Sequence, residues 1–209
     1  RVGGAGFESN TNGLSGFTSF SDSVKLGAIG QLKQNDAVVM RVRLENKTNA
    51  NFGNLHWRGV ALDSFENNTW SKSKDVFVEP HIKGEKDFFL LDYPSNKNEV
   101  TVQTVYLEPI DSSVLFALAR PVAVQGNFQT LIEDSEGALN FPRTGFERAT
   151  YKVYSDQSLP AETRLRNDNE NYSPENTHYL TLPENLDKRI AQLTRQLTEK
   201  ATNRFDKAK

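Results

Sequence analysis

The stretch "LHWRGVALDSFENNTW", residues 55–70, combines an alternating pattern with a turn and contains both tryptophans of the chain. Leu55 and Trp57 fall on one face of the alternation, and His56 and Arg58 fall on the other. This period of two is typical of a β-strand with one buried face. The "ENN" that follows tolerates positive φ angles and predicts a hairpin, after which "TW" continues as an extended strand.

Similar short runs recur along the chain and predict a mainly β fold. "AVVMRVRLEN" (37–46) alternates apolar and charged residues, as a half-buried strand does. Further strands are predicted at residues 75–80, 87–93, 98–109, 113–120, 121–126, 128–134, 137–142 and 147–156. Gly, Pro, Asn or Asp separate most of them, which is typical of an antiparallel β-sandwich or a barrel-like domain. We therefore predict an irregular arm at residues 1–22 and a β-sandwich domain at residues 23–157.

The composition changes after about residue 157. Residues 158–183 are polar and rich in Asn and Pro, and we interpret them as a linker or extended segment. Residues 184–209 are predicted to be helical, because "ENLDKRIAQLTRQLTEKA" (184–201) carries the apolar stripe of an amphipathic helix. The stripe consists of Leu186, Ile190, Leu193, Leu197 and Ala201.

The ends of this helix, and of a second one that follows it, carry recognisable capping residues. Thr181 with Glu184 has capping-box spacing, and Asn185 is an equally good N-cap for the first helix. Thr202 is the candidate cap of the second helix.

Composition excludes several classes of function. The chain has 209 residues and a net charge of −2, so it lacks the basic footprint that nucleic-acid binding requires. It has no cysteine, which excludes disulfides, thiolate catalysis and Cys-based zinc sites. It has no apolar run of transmembrane length and no signal peptide. Since the chain begins with Arg1, we interpret it as a piece of a longer protein.

No catalytic residue, metal site or cofactor is predicted from motifs. His56, His81 and His178 lack metal-ligand spacing, and no serine elbow or phosphate loop is present. Asp63 and Glu66 are close in sequence and could form the paired carboxylates of a glycoside hydrolase. Asp63 also suits ordinary turn chemistry at a strand end.

Aromatic residues give the remaining candidate site, a ligand-binding set of Trp57, Arg58, Asp63 and Trp70. Tryptophan rings can stack on sugars, and Arg58 and Asp63 could bind polar groups beside them. The alternative is that Trp57 belongs to the core and that Trp70 packs against it across the hairpin. Arg58 would then pair with a carboxylate or a carbonyl at the surface.

Two patches of the sequence resemble the extracytoplasmic region of bacterial membrane-anchored transglutaminase-like proteins of the TgpA type. The first comprises "FSDSVKLGAIGQLKQNDAVVMRVRLEN" and "LHWRGVALDSFENNTWSKS". Its matching residues are Ser21, Asp22, Val24, Leu26, Gly27, Ile29, Gly30, Leu32, Asp36, Val38, Arg41, Val42, Trp57, Arg58, Gly59, Leu62, Asp63, Phe65 and Trp70. Glu66-Asn67 replaces the Asp-Gly of the family pattern. The second patch is the C-terminal "YLTLPENLDKRIAQLTRQLTEKATNRFDKAK".

The resemblance implies a non-catalytic β domain that precedes a transglutaminase-like domain carrying a Cys-His-Asp triad. It further implies membrane helices elsewhere in the parent protein and a position on the periplasmic side of the bacterial cell membrane. The domain would position the catalytic domain, with the helix at 185–201 contacting both. The alternatives are a module that binds peptidoglycan, another cell-wall polymer or a protein, and an independent hydrolase built on Asp63 and Glu66.

Overall fold

The computed structural model describes residues 23–25, 38–45, 55–73, 78–110, 112–142 and 147–209, and these ranges confirm the mainly β prediction. Every strand pairing within them is antiparallel. The strands are β1 (Ser23–Lys25), β2 (Met40–Leu44), β3 (Trp57–Arg58), β4 (Ser64–Glu66), β5 (Thr69–Ser71), β6 (Val78–Ile82), β7 (Phe88–Leu90), β8 (Val100–Leu107), β9 (Val114–Leu115), β10 (Ala117–Leu118), β11 (Pro121–Gly126), β12 (Thr130–Asp134), β13 (Leu139–Asn140) and β14 (Ala149–Asp156). The irregular arm predicted at residues 1–22 lies outside the described residues.

The strands form four sheets. A five-stranded sheet has the order β2-β8-β14-β11-β7, and a four-stranded sheet has the order β6-β12-β13-β9. A three-stranded sheet, β1-β5-β4, and the pair β10-β3 complete the described part of the chain. The arrangement is sandwich-like, and the sheets within these ranges do not close into a barrel.

The core is shared by the five-stranded and four-stranded sheets. On β14, Tyr151 and Val153 alternate inward and are at most 2% exposed. Leu131 and Leu139 of the opposing sheet are equally buried. The core cluster is continuous between the sheets, and apolar burial on this scale is the main stabilising contribution in a domain of this size.

The hairpin predicted from "ENN" is confirmed between β4 and β5. Asn67 and Asn68 have φ angles of 49° and 60°. Two consecutive positive φ values define a turn that matches the twist of the flanking strands, and asparagine tolerates this conformation better than most residues.

The C-terminal region contains three α-helices: α1 (Glu162–Arg166), α2 (Lys188–Thr198) and α3 (Arg204–Ala208). The segment interpreted as an extended linker thus includes α1 and a 3-10 helix at Pro174–Leu180. Arg166, the last residue of α1, donates hydrogen bonds to Glu162 of the same helix and to Asp206 of α3, both at 2.9 Å. Such short helices bury little apolar surface, so contacts of this kind hold them in place. The division of the chain into domains stays a prediction.

The predicted helix caps were wrong by a few residues. Residues 183–186 form a separate turn, closed by the Leu186 amide and the Pro183 carbonyl, so α2 begins after it. Asp187 caps α2 by accepting a hydrogen bond from the Arg189 amide. Asn203 rather than Thr202 caps α3, in line with the stronger capping preference of asparagine.

The apolar stripe of α2 is exposed. Ile190, Leu193 and Leu197 are 49%, 54% and 76% exposed. We expected one side of the stripe to pack against the β domain. No residue of α2 is buried, so the helix does not insert its stripe into the core. A helix of 11 residues with a solvent-facing apolar stripe is marginal by itself, which makes this face the natural contact for another element.

Glu45 at the end of β2 provides a pH-dependent contribution to stability. Hydrogen bonds from Thr104, Arg43 and Lys152 lower its pKa to about 2. A folded-state pKa below the unfolded value stabilises the protein above the unfolded pKa, near 4.5, and this contribution is lost as pH falls toward 2. We therefore expect Glu45→Gln to destabilise the protein at pH 6 and to lose this deficit progressively between about pH 4.5 and pH 2.

Urea unfolding at a series of pH values measures this effect. Glu99→Gln is the control, because it removes a carboxylate from the 3-10 helix Lys97–Glu99, just before β8, without the contacts of Glu45. A Glu45→Gln deficit that stayed constant from pH 6 to pH 2 would contradict the assignment.

Candidate functional site

Trp57 is half-buried at the edge of the core. Its ring packs against the core cluster, and its indole N–H donates to Gln103 Oε1 at 2.6 Å. Gln103 is fully buried and donates to Ser155 Oγ at 3.1 Å, which in turn donates to the Leu118 carbonyl. Because buried polar groups need partners, this chain of bonds fixes the ring of Trp57 in place. The interpretation of Trp57 as a core residue fits these contacts better than a role in stacking on a ligand.

Gly59, two residues further on, allows this strand to lie close to the core. A Cβ atom at this position would stand 2.7 Å from the ring of Phe116 and 3.0 Å from Val114. Only glycine permits such a close approach without a shift of its neighbours. Arg58, which lies between Trp57 and Gly59 in the sequence, faces outward. Its Nη2 lies 3.5 Å from the point where a Cβ atom at Gly137 would stand.

Trp70 lies in a different sheet from Trp57, so the predicted pairing of the two rings was wrong. Its cross-strand partner is Phe65, whose ring centroid is 5.0 Å away. The three-stranded sheet is separate from the main core, and Trp70 remains 40% exposed. The Phe65–Trp70 pair is therefore a partly exposed aromatic pair on a hairpin.

Asp63 is held at the start of the same hairpin with its side chain only 3% exposed. Its Oδ1 accepts a hydrogen bond from the Ser73 amide at 2.7 Å, and its Oδ2 faces His178 Nε2 at 3.5 Å. Burial alone would raise the pKa of Asp63, but the bonds to Ser73 and the charge of His178 outweigh it and the pKa is lowered. Asp63 is thus an anion at neutral pH, enclosed between the hairpin and the C-terminal segment.

Glu136, not Glu66, is the carboxylate that accompanies Asp63. One ligand atom each of Asp63, Glu136 and His178 lies within 4.8 Å of the others, and Glu66 does not belong to this group. Glu66 is exposed next to the turn, opposite Thr69. The hydrolase hypothesis on Asp63 and Glu66 therefore gains no support from the geometry, whereas the acid-and-histidine group is a site that sequence spacing did not indicate.

Tyr179 joins this group and links the C-terminal segment to the β domain. Its hydroxyl lies 2.6 Å and 2.7 Å from the two carboxylate oxygens of Glu136 and donates its proton to them. This bond raises the pKa of Tyr179 to about 12, with burial and the charge of Asp63 adding to it and the charge of Arg58 opposing it. The charges of Arg58 and Asp63 thus both act on Tyr179.

An acidic depression borders the group on the four-stranded sheet. Glu79, Asp92, Glu133, Asp134 and Glu136 supply its carboxylates, around an open volume of about 500 Å³. His81 Nε2 lies 3.0 Å from Glu133 Oε2, and burial raises the pKa of Glu133 in spite of this contact. Lys72 Nζ donates to Asp134 Oδ2 at 2.8 Å.

The fold and site define a mainly antiparallel β domain in which an acidic surface meets a short helical C-terminal segment. The model of the TgpA N-terminal domain family matches residues 1–162 of the chain, well over half its length. The chain belongs to the TgpA N-terminal domain family.

Comparison with solved structures gives the same fold. The chain is similar to the periplasmic domain of TgpA from Pseudomonas aeruginosa bound to ethylmercury, with a TM-score of 0.57 and 21% identity over 87% of this chain and 57% of that one. A second structure of that periplasmic domain has a TM-score of 0.55 and 19% identity, with 86% of this chain and 55% of that one covered. The chain therefore spans little more than half the length of these structures. No curated protein matches.

Among the helices of the described ranges, none has the length and hydrophobicity needed to span a bilayer.

Proposed function

We propose that the chain is the non-catalytic, extracytoplasmic β domain of a membrane-bound transglutaminase-like protein and that it positions the catalytic domain. Membership of the TgpA N-terminal domain family supports the type of parent protein. The similar structures are described as periplasmic domains, which supports the extracytoplasmic location. The membrane would be reached through transmembrane helices of the parent. Since the chain has no cysteine, the Cys-His-Asp triad of such a protein would lie in another domain.

The observation that carries this proposal is the exposed stripe of α2 beyond an anchored segment. Tyr179 bonds to Glu136 and His178 faces Asp63, so the chain just before α2 is attached to the β domain. Ile190, Leu193 and Leu197 then present apolar surface that the β domain does not cover. A segment attached to the β domain and followed by an apolar face is a geometry suited to holding a second domain in a fixed orientation.

Leu193→Asp in the full-length protein tests this role. We expect it to leave the stability of the β domain within about 0.5 kcal/mol, because Leu193 is already 54% exposed. In the full-length protein, the charge would have to be buried against the catalytic domain, so we expect faster proteolysis between the domains and lower catalytic activity. Limited proteolysis and an activity assay measure the two effects.

Gln192→Asp is the matched control, because it places the same charge on the polar face of the same helix. We expect it to resemble the unmodified protein in both assays. If both variants, or neither of them, changed domain protection, the stripe would not be the contact.

A second candidate function is a module that binds cell-wall glycan. The 40% exposure of Trp70, whose ring lies against Phe65, is the observation that favours it. Pull-down with insoluble cell wall distinguishes this function from the first: retention that is lost in Trp70→Ala but kept in Tyr93→Ala, another exposed aromatic, supports it. If neither the two variants nor the unmodified chain bound the cell wall, only the positioning role would remain.

A further inference from the structure

Asp63, Glu136 and His178 bring three potential metal ligands together from distant parts of the chain. Asp63 precedes β4, Glu136 lies in the turn between β12 and β13, and His178 belongs to the 3-10 helix Pro174–Leu180. Two carboxylate oxygens and one imidazole nitrogen form a donor set that Zn²⁺ and related divalent transition metals bind. The ligand atoms of the three residues all lie within 4.8 Å of one another.

The spacing of the ligand atoms fits an ion between them. Zinc bonds to nitrogen and oxygen of about 2.1 Å place neighbouring tetrahedral ligands about 3.4 Å apart. Asp63 Oδ2 and His178 Nε2 are separated by 3.5 Å. Glu136 has to approach by about 1.4 Å at most to complete the same geometry, which rotation of its side chain in the surface turn can supply.

Neighbouring groups restrain two of the ligands close to a binding orientation. The Ser73 amide occupies Asp63 Oδ1 and leaves Oδ2 directed toward the cluster. The Tyr179 hydroxyl holds Glu136. Outer hydrogen bonds of this type orient metal ligands and are a regular part of metal sites.

Charge also favours a cation here. Asp63 has a side chain only 3% exposed and lies beside a second carboxylate, an arrangement that costs free energy unless positive charge is near. Arg58 lies close enough to act on Tyr179 electrostatically and supplies part of this charge. A divalent ion between the carboxylates would supply the remainder.

We propose that Asp63, Glu136 and His178 bind a divalent transition-metal ion, with zinc fitting the donor set and the spacing. The ion would join the β domain to the 3-10 helix and so fix the direction in which the chain enters α2. This site rests on the cluster geometry alone and does not depend on the proposed role of the α2 stripe.

Titration of the metal-free 209-residue chain with ZnCl₂, followed by calorimetry and by thermal unfolding, tests the proposal. We expect one zinc ion per chain and a rise in the unfolding temperature that saturates with zinc. His178→Ala and Glu136→Gln each remove one ligand, and we expect each to weaken binding by at least about tenfold. Both positions are partly exposed or in a turn, so the variants should fold.

His56→Ala is the matched control, because His56 is an exposed histidine outside the cluster. It should bind zinc as the unmodified chain does. Tyr179→Phe keeps all three ligands but removes the bond that holds Glu136, and we expect an intermediate loss of affinity. The proposal is overturned if no saturable binding of zinc is seen, or if His56→Ala weakens binding as much as His178→Ala does.

Discussion

Asp134→Ala is expected to lower the free energy of unfolding by about 3–5 kcal/mol, the cost of removing one partner from a buried ion pair. The side chain of Asp134 is 4% exposed, and its Oδ2 accepts a hydrogen bond from Lys72 Nζ at 2.8 Å. Its Oδ1 accepts from the amides of Glu136 and Ala138, at 3.1 Å and 2.8 Å. Alanine would remove the carboxylate that pairs with Lys72 and the acceptor of two backbone amides. Urea unfolding measures the loss.

Asp134→Asn removes the negative charge but keeps the shape of the side chain, so it separates the two contributions to stability. Its amide oxygen can still accept from the two backbone amides, so we expect a smaller loss than with alanine. Glu136→Gln, in the same turn, is the control and should cost less than about 1 kcal/mol, because Glu136 is partly exposed. An Asp134→Ala protein within 1 kcal/mol of the unmodified chain would show that the turn does not depend on this carboxylate.

The fold was predictable where one local signal decided the structure. Residues 121–126 alternate in the sequence and form β11 at those same positions. "ENN" predicted the hairpin because positive φ is a property of the individual residues. The strand predicted at 113–120 is instead two short strands that belong to different sheets, with Phe116 between them. The break between the two strands depends on Tyr151, whose hydroxyl bonds to both the amide and the carbonyl of Phe116. Because Tyr151 is 35 residues away in sequence, no local pattern predicts this contact.

The candidate site was less predictable, because it too depends on contacts between residues that are far apart in the sequence. Trp57, Arg58 and Asp63 were identified from one stretch, and the charges of Arg58 and Asp63 act on Tyr179 in the structure. Glu136 and His178 are separated from Asp63 by 73 and 115 residues in sequence, and their meeting depends on the strand order. An isolated histidine in a polar segment carries no spacing signal. Asp134 was missed because its role depends on Lys72, which lies 62 residues away.

The two tryptophans should respond very differently to the same substitution. Trp57→Ala removes a ring that packs on the core and leaves Gln103 Oε1, fully buried, without its donor. We expect it to lower the free energy of unfolding by about 3 kcal/mol, the lower end of the range for large-to-small core changes because the residue is only half-buried. Trp70→Ala removes a 40% exposed ring and its contact with Phe65, and we expect a loss of about 1 kcal/mol.

Trp57→Phe resolves how much of the larger effect comes from the hydrogen bond. It keeps most of the aromatic contact and removes only the indole N–H, so we expect about 1–3 kcal/mol from the unsatisfied Gln103 oxygen. In Trp57→Phe combined with Gln103→Leu, both partners are apolar, and we expect the double variant to lose less than the sum of the single changes. Additive losses would mean that Trp57 and Gln103 do not act together. Equal losses of unfolding free energy in Trp57→Ala and Trp70→Ala would mean that the Trp57 ring does not belong to the core. The ligand-binding interpretation of Trp57 would then be favoured.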